Sequence, residues 1–236
     1  MKKYQLRRSV SEQIKVLKKA YDRTVENFKK GVNDLDLLPE DFKNSAEFLK
    51  LQKAKYTCHS GSPDIKEYLQ PKKGMNFLDV GCCANLINYG LDKWPSNYYG
   101  IDISPKLIKA VKAFVAKNKI KIGGLFVSEA AKMPFKNNFF DIAACIGVLE
   151  YFDESYICHV LRELHRVLKS GGRLVVDMPN LENQDVKTMF QLEAHLGRPR
   201  FNLPTEKVFE KELRKNFTID KKDDNSLMVK YFVRRR

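Results

Sequence analysis

The stretch Phe77-Leu78-Asp79-Val80-Gly81-Cys82 decides the fold of this 236-residue chain. A short apolar run that ends at an acidic residue and a glycine is typical of a buried strand followed by a tight turn. A second such run, Tyr98-Tyr99-Gly100-Ile101-Asp102-Ile103, follows it, and Ser104-Pro105 then predicts the start of a helix. Further strands are predicted at residues 125–127, 141–146 and 173–178, with helices between them. This alternation predicts an α/β fold with a doubly wound, mostly parallel sheet.

The segment before the first strand, residues 1–73, is predicted to be a helical N-terminal extension. Its first helix has an apolar stripe at spacings of three or four, formed by Leu6, Val10, Ile14, Leu17, Tyr21, Val25 and Phe28. Gly31 is a plausible end for that helix. A second helix is predicted over residues 40–55, and Ser62-Pro63 predicts a short third one.

Two acidic residues mark the edge of the predicted sheet where a ligand is expected. Asp79 ends the first strand and Asp102 ends the second, 21 residues after Gly81. In open α/β sheets, ligands bind at the carboxyl ends of the strands, near the point where the strand order reverses. A carboxylate at the place and distance of Asp102 suits the vicinal hydroxyls of a ribose.

Six sequence blocks, in this order and spacing, resemble one family. They are Phe77-Leu78-Asp79-Val80-Gly81-Cys82, Gly100-Ile101-Asp102-Ile103-Ser104, Met133-Pro134-Phe135, Phe140-Asp141, Gly147-Val148-Leu149-Glu150-Tyr151 and Val167-Leu168-Lys169-Ser170-Gly171-Gly172-Arg173-Leu174. The set is similar to class I S-adenosylmethionine-dependent methyltransferases, and nearest to the small-molecule type with the methyltransferase domain 11 pattern. The resemblance covers roughly residues 74–180. It implies a seven-stranded, Rossmann-like sheet whose last strand is antiparallel, with residues 217–220 and 227–233 forming the final hairpin.

The resemblance also implies a cofactor, S-adenosyl-L-methionine, with S-adenosyl-L-homocysteine as its product. The methyltransferase domain would span residues 74–236, with a lid-like insertion at about 181–204. The cofactor-binding positions carried over to this chain are Asp79, Gly81 and Cys83 near the methionine part, Asp102 at the ribose, Ile103, Glu129 and Ala130 around the adenine, and Ile146 and Gly147 beside the sulfonium and the acceptor.

The chain departs from the family in the first turn, where G-x-G-x-G is usual and Gly81-Cys82-Cys83-Ala84-Asn85 stands here. Glycine at the second place lets the backbone approach a ligand closely, whereas Cys83 carries a Cβ atom. Whether this loop weakens cofactor binding is left open by the sequence. The adjacent thiols also permit a redox or metal interpretation, although two such thiols are more often simply small residues in a tight turn.

No catalytic base stands out in the sequence. The weak candidates are Tyr151, His59 and His195, and a phenol is a poor base near neutral pH because its pKa is about 10. A base is needed only if the acceptor must lose a proton. The chain has no C-x-x-C pair, so no metal site is predicted.

The net charge of +14 is concentrated outside the predicted sheet, with +7 in residues 1–73, +3 in 74–180 and +4 in 181–236. The favoured partner is a small-molecule acceptor, which would be anionic if the basic flanks take part in binding it. RNA or protein methylation is the first alternative, because basic helices and Arg234-Arg235-Arg236 attract phosphates. A non-catalytic binding protein with a degenerate cofactor loop is the second. A solvated basic cap explains the charge without any partner.

Several classes of protein are set aside on composition. The sequence has no run of about 18 apolar residues and no apolar stretch after its first charges, so neither a membrane partner nor a secretory signal is predicted. Five cysteines in no repeating frame argue against a disulfide scaffold. We therefore predict a cytoplasmic location, and the sequence leaves the oligomeric state open.

Overall fold

The computed structural model describes residues 9–53, 60–198 and 202–236. Cys58, His59 and Leu6, which the sequence analysis singled out, lie outside these described residues.

A seven-stranded sheet forms the centre of the molecule. Its strands are β1 (Asn76–Val80), β2 (Asn97–Asp102), β3 (Gly124–Val127), β4 (Phe140–Cys145), β5 (Leu168–Pro179), β6 (Phe217–Asp223) and β7 (Met228–Arg235). Their order across the sheet is β3-β2-β1-β4-β5-β7-β6. The strands from β3 to β5 pair in parallel, whereas β7 is antiparallel to both of its neighbours. This confirms the predicted fold class, and the strand order reverses beside β1.

Helices cover both faces of the sheet. They are α1 (Val10–Lys29), α2 (Glu40–Lys43), α3 (Ala46–Lys53), α4 (Pro63–Leu69), α5 (Asn85–Asn88), α6 (Pro105–Lys117), α7 (Glu154–Val167), α8 (Val186–His195) and α9 (Glu206–Asn216). Short 3₁₀ turns lie at Asp34–Leu37, Leu91–Lys93 and Leu149–Tyr151. α8 falls within the predicted lid-like insertion. The division into a cap of residues 1–73 and a domain of residues 74–236 stays a prediction.

The two faces of the sheet have separate cores. On one face, Leu78 and Val80 pack with buried residues of α1, α7 and α9. On the other face, Phe77 packs with buried residues of α4 and α6. Because successive side chains of a strand point to opposite faces, β1 contributes to both cores and is buried on both sides.

The N-terminal ends of α1 and α6 are explained by their sequences. Ser9 accepts a hydrogen bond from the backbone N–H of Glu12, and the Glu12 carboxylate accepts one in return from the N–H of Ser9, which makes a capping box at α1. Ser104 caps α6 through the N–H of Leu107, and Pro105 occupies the first helical position. The sequence analysis predicted the start of α6 but not that of α1.

The prediction of one helix over residues 40–55 is wrong, because the chain breaks between α2 and α3. The Ser45 hydroxyl donates to the carbonyl of Phe42 and accepts from the N–H of Phe48, so it ends one helix and begins the next. The break also turns the second helix, so that Phe48 and Leu51 are buried while Leu49 is exposed.

The apolar stripe of α1 is buried along most of its length, but not at its end. Ile14, Leu17 and Val25 are buried, whereas Phe28 is 80% exposed. The periodicity assigns Phe28 to the right face of the helix, but the body of the protein does not extend far enough to cover it.

None of the helices within the described ranges is both long enough and apolar enough to cross a lipid bilayer.

Replacement of a buried leucine of α7 should weaken the fold markedly. Leu164 is fully buried against the sheet, so Leu164→Ala should lower the free energy of unfolding by about 2–5 kcal/mol through lost burial and a residual cavity. The matched control is Leu181→Ala, because Leu181 is an exposed leucine and its loss should change stability by roughly 0.5 kcal/mol or less. Urea denaturation of both variants measures the difference, and equal losses would contradict this packing.

Candidate active site

A cavity lies at the carboxyl edge of the sheet, beside the point where the strand order reverses. Its volume is about 70 Å³, which is well below the several hundred Å³ usual for a ligand pocket. Residues in the turns after β1 to β4 form most of its wall, and residues of α1 cover its remaining side. Its lining residues are Leu17, Tyr21, Val80, Gly81, Cys83, Ile101, Asp102, Ile103, Ser128, Ala130, Gly147, Val148, Tyr151, Phe152 and Tyr156.

The turn after β1 is tight, and Gly81 is required in it. Gly81 has a φ of +66°, and a Cβ atom there would lie 2.4 Å from Cγ2 of Val148. Cys83 also adopts the left-handed region, with a φ of +43°, although it carries a side chain. The backbone N–H of Cys83 donates to Oδ2 of Asp102 at 3.0 Å, which holds the turn in that conformation. The departure from the family pattern is therefore accommodated without moving the turn away from the cavity.

Asp102 reaches the cavity from the end of β2. Its Oδ1 accepts from the N–H of Ser104 at 2.9 Å, and its Oδ2 accepts from Cys83. Burial raises the pKa of Asp102, and these backbone donors oppose the shift. Each carboxylate oxygen can accept more than one hydrogen bond, so both retain capacity for the hydroxyls of a ligand.

Asp79 lies beneath the cavity and does not line it. Its carboxylate is fully buried and accepts hydrogen bonds from the hydroxyl of Ser60 at 2.6 Å, the hydroxyl of Tyr98 at 2.9 Å and the amide of Asn85 at 3.2 Å. Burial is the main cause that raises the pKa of Asp79 to about 6. In this structure Asp79 ties the N-terminal segment and β2 to the turn, and its contact with a cofactor stays a prediction.

The other predicted cofactor residues divide into two groups. Ile103, Ala130 and Gly147 line the cavity, as expected from their places after β2, β3 and β4. Ile146 and Glu129 do not line it, because Ile146 packs into the core of the opposite face and Glu129 is exposed. Their direct contact with a cofactor stays a prediction.

Gly147 borders an open part of the cavity. It has a φ of +69°, and a Cβ atom added there would meet nothing within 4 Å. Its N–H donates to Oδ1 of the fully buried Asp177 at 2.9 Å. The backbone conformation, and not crowding, therefore favours glycine at this position.

A polar network on the α1 side of the cavity escaped the sequence analysis, except for Tyr151. The Tyr151 hydroxyl donates to Oε2 of Glu193 at 2.8 Å, so the Tyr21 hydroxyl, 3.2 Å away, is the donor to Tyr151. Arg198 lies 4.2 Å from the centre of the Tyr21 ring and 3.6 Å from Oε2 of Glu193. Burial raises the pKa of Tyr21 and of Tyr151, so both remain phenols.

Glu150, next to this network, is the most perturbed carboxyl group near the cavity. Burial raises the pKa of Glu150 to about 8, and the nearby carboxylates of Asp177 and Glu193 add to the shift. The helical spacing of Tyr21 predicted a core residue, and Glu193 and Arg198 carry no motif of their own. Only their places in the predicted lid-like insertion could have pointed to them.

The three weak catalytic candidates have different positions. Tyr151 lines the cavity. His195 is exposed on α8 with its ring 4.7 Å from that of Phe42, and it is not among the lining residues. His59 lies outside the described residues. Within the described ranges, no group of three or more His, Cys, Asp or Glu side chains could hold a metal ion.

The lining suits a nucleoside-type cofactor. Asp102 offers a carboxylate to a ribose, and Ile103 and Ala130 offer apolar walls to a flat ring. The hydroxyl of Tyr156 is buried at the cavity near the backbone of Ala131, where it adds a polar group to an otherwise apolar wall. The strand order and this cavity define the chain as a Rossmann-like α/β protein built to bind such a cofactor.

The family model described as "Methyltransferase domain" matches residues 78–176, which run from within β1 to within β5 and include most of the cavity wall. Residues 78–176 are therefore similar to the class I S-adenosylmethionine-dependent methyltransferase family. The cofactor of this family is S-adenosylmethionine.

Two relatives illustrate the range of the match. The chain is 26% identical over 170 residues to a sterol 4-C-methyltransferase of Caenorhabditis elegans, covering 66% of this chain and 48% of that protein. It is 31% identical over 126 residues to a demethylmenaquinone methyltransferase of Listeria monocytogenes, covering 50% of this chain and 52% of the other. The chain thus spans about half the length of these relatives.

Two solved structures share the fold. A protein of Pyrococcus horikoshii superimposes with a TM-score of 0.62 at 19% identity, covering 82% of this chain and 93% of the other. The geranyl diphosphate C-methyltransferase of Streptomyces coelicolor, solved with Mg²⁺, geranyl diphosphate and S-adenosyl-L-homocysteine, gives 0.60 at 14% identity, covering 81% of this chain and 82% of the other.

Asp79 should make the stability of the protein depend on pH. Its pKa of about 6 in the folded state exceeds the ordinary 3.8, so folding takes up a proton between these values and stability falls as the pH rises through that window. The loss amounts to roughly 3 kcal/mol. Asp79→Asn, which cannot titrate, should remove this slope from the urea-unfolding free energy.

The control for this prediction is Asp224→Asn, which removes a carboxylate that is 61% exposed. Its pH profile should follow that of the unmodified protein. A profile of Asp79→Asn that also stays parallel to the unmodified protein between pH 3.8 and about 6 would show that Asp79 is not a titrating buried group.

Proposed function

We propose that the chain transfers a methyl group from S-adenosylmethionine to a nucleophilic atom of a small-molecule acceptor. The observation that carries this proposal is the cavity at the carboxyl edge of the sheet, where the family binds its cofactor. In its wall, the backbone N–H of Cys83 donates a hydrogen bond to the carboxylate of Asp102. When bound, the cofactor supplies an activated methyl group on a sulfonium centre.

The residues proposed to hold the cofactor lie along one wall of the cavity. Asp102 would accept hydrogen bonds from the ribose hydroxyls, and Ile103 and Ala130 would pack on the adenine. Gly81 and Cys83 would border the methionine part, and Gly147 leaves open space beside the reacting centre. This side of the cavity positions the methyl group, which is the main catalytic contribution that such a site makes.

The opposite wall is proposed to receive the acceptor. Tyr21 and Leu17 of α1 face Tyr151 and Phe152, so the space between them is largely apolar and excludes water. The positive charge of Arg198 is matched by Glu193, which favours an acceptor that is uncharged where it meets this wall. The relatives named for sterol, demethylmenaquinone and geranyl diphosphate methylation support an acceptor with a large apolar part.

The tyrosine network offers a path for a proton. Since Tyr21 donates to Tyr151 and Tyr151 donates to Glu193, the oxygen of Tyr21 is free to accept from a hydroxyl of the acceptor. A proton that leaves such a hydroxyl would pass through both phenols to the Glu193 carboxylate, which is in part exposed to solvent. This path would serve only an acceptor that loses a proton on methylation.

The direct test of the function is transfer of the labelled methyl group of S-adenosylmethionine to a panel of acceptors. The panel contains a sterol, a demethylmenaquinol, an isoprenyl diphosphate and, for the alternative of RNA methylation, transfer RNA. Label in an extracted small molecule supports the proposal. Label in the RNA alone, or no transfer although the cofactor binds, contradicts it.

Removing the charge of Asp102 should weaken cofactor binding. Asp102→Asn loses a charged hydrogen-bond acceptor for the ribose, so the Kd for S-adenosylhomocysteine in titration calorimetry should rise roughly ten- to a hundredfold. The exposed control Asp224→Asn should keep the unmodified affinity. If both variants bound S-adenosylhomocysteine with equal affinity, the ribose would have to lie away from Asp102.

Removing the hydroxyl of Tyr21 should separate methyl transfer from cofactor binding. Tyr21→Phe keeps the ring beneath Arg198 but breaks the link to Tyr151, so the rate of transfer to the acceptor found in the panel should fall about tenfold or more. The Kd for S-adenosylhomocysteine should change little. Tyr68→Phe is the matched control, because its hydroxyl bonds Asp220 in a different groove of the molecule. A similar loss of transfer in both variants would argue against the network.

A further inference from the structure

Three turn residues border the space in which the methionine part and the reacting centre of the cofactor are proposed to lie. Gly81 and Gly147 have no side chain, and the backbone of both adopts a positive φ. Cys83 also lines the cavity, but it carries the atoms Cβ and Sγ. Of these three residues, Cys83 is therefore the one whose side chain takes up space that a ligand could use.

The space that this side chain takes up is large compared with the cavity. The cavity has a volume of about 70 Å³, whereas ligand pockets usually have about 300 Å³ or more. At the packing density of a protein interior, the Cβ and Sγ atoms of a cysteine displace roughly 45 Å³. Removing them would enlarge the cavity by more than half of its volume.

The Cys83 side chain has little freedom to move out of the way, because its backbone is held on both sides. The N–H of Cys83 donates to Oδ2 of Asp102 at 3.0 Å, with a φ of +43° at Cys83. The side-chain amide of Asn85 donates to the buried carboxylate of Asp79 at 3.2 Å. A ligand would therefore have to fit beside the side chain, because the turn that carries it is tied to two carboxylates.

The thiol lies where the two walls of the cavity approach each other. Burial and the charge of Asp102 raise the pKa of the Cys83 thiol to about 11, whereas the positive charge of Arg198 opposes this rise. Burial also raises the pKa of Tyr21, and its proximity to Cys83 adds to that rise. Asp102 belongs to the cofactor side, and Arg198 and Tyr21 belong to the acceptor side. Because the thiol is protonated near neutral pH, it acts on a ligand through its size.

We propose that the Cys83 side chain limits the affinity of the cofactor pocket by occupying space beside the methionine part of the cofactor. The inference rests on the proposed function, because it takes the turn after β1 as the site of that part. It answers the question that the sequence left open, namely whether this turn weakens cofactor binding. The redox interpretation of the adjacent thiols finds no support at Cys83, because the thiolate is the reactive form of a cysteine.

The test is titration calorimetry of the full-length protein with two ligands. S-adenosylhomocysteine has the amino-acid part, and 5′-methylthioadenosine has the same nucleoside and thioether without it. Cys83→Gly removes Cβ and Sγ, so the Kd for S-adenosylhomocysteine should fall about tenfold. Cys83→Ala removes Sγ alone and should lower that Kd about threefold. The Kd for 5′-methylthioadenosine should change less than about twofold in both variants, because this ligand does not reach the enlarged space.

The chain offers two matched controls. Cys83→Ser keeps a side chain of nearly the same size, so it should bind both ligands as the unmodified protein does. Cys158→Ala removes a thiol on α7 that bonds Glu212 and does not line the cavity, so it should also leave both affinities unchanged. The thermal midpoints of the four variants, measured on the same samples, show that each one is folded.

Three results would overturn this inference alone. They are equal and measurable affinities of Cys83→Gly and the unmodified protein for S-adenosylhomocysteine, a gain in Cys83→Ser as large as that in Cys83→Gly, and an equal gain for both ligands. Binding of S-adenosylhomocysteine by Cys83→Gly but not by the unmodified protein would keep the inference and reject the proposed methyl transfer. Absence of binding in every variant would reject both.

Discussion

The buried carboxylate of Asp79 is the constraint on which the geometry of the cavity depends. Three donors from different parts of the chain converge on it, from Ser60 before the sheet, from Asn85 at the start of α5, and from Tyr98 on β2. A carboxyl group without solvent is stable only when such donors surround it. Asp79 therefore constrains the turn after β1 from beneath the cavity. Asp102 constrains the same turn through its hydrogen bond with the N–H of Cys83. Hydrogen bonds to both carboxylates therefore hold this part of the cavity wall.

This arrangement explains how the chain tolerates a cysteine where its family usually has glycine. The left-handed conformation at Cys83 is unfavourable for a residue with a Cβ atom. The hydrogen bond to Asp102 and the fixed turn on either side offset that cost. The side chain then points along the cavity wall, where burial raises the pKa of its thiol to about 11 and keeps it protonated. Cys83 acts in this structure as a small wall residue.

The strands could be predicted because their signal is local. Apolar runs such as residues 77–80 are long enough to identify a buried strand, and the spacing of Asp79, Gly81 and Asp102 places the edge where ligands bind. The acceptor side could not be predicted in the same way. Periodicity assigns Tyr21 and Phe28 to one face of α1 but does not say what lies opposite, and one proves to line a cavity while the other faces solvent. Ile146 and Glu129 show the same limit, because a family position does not specify which way a side chain turns.

Helix α1, which covers the cavity, has a consequence for the rate of cofactor exchange. Leu17 and Tyr21 cover the space in which the family binds its cofactor, and α1 is fastened there by Tyr151, by Arg198 and by the contacts of Asp22 and Glu26 with the start of α6. A cofactor held in this space could leave only after these contacts open, so the motion of α1 would contribute to the rate of cofactor exchange.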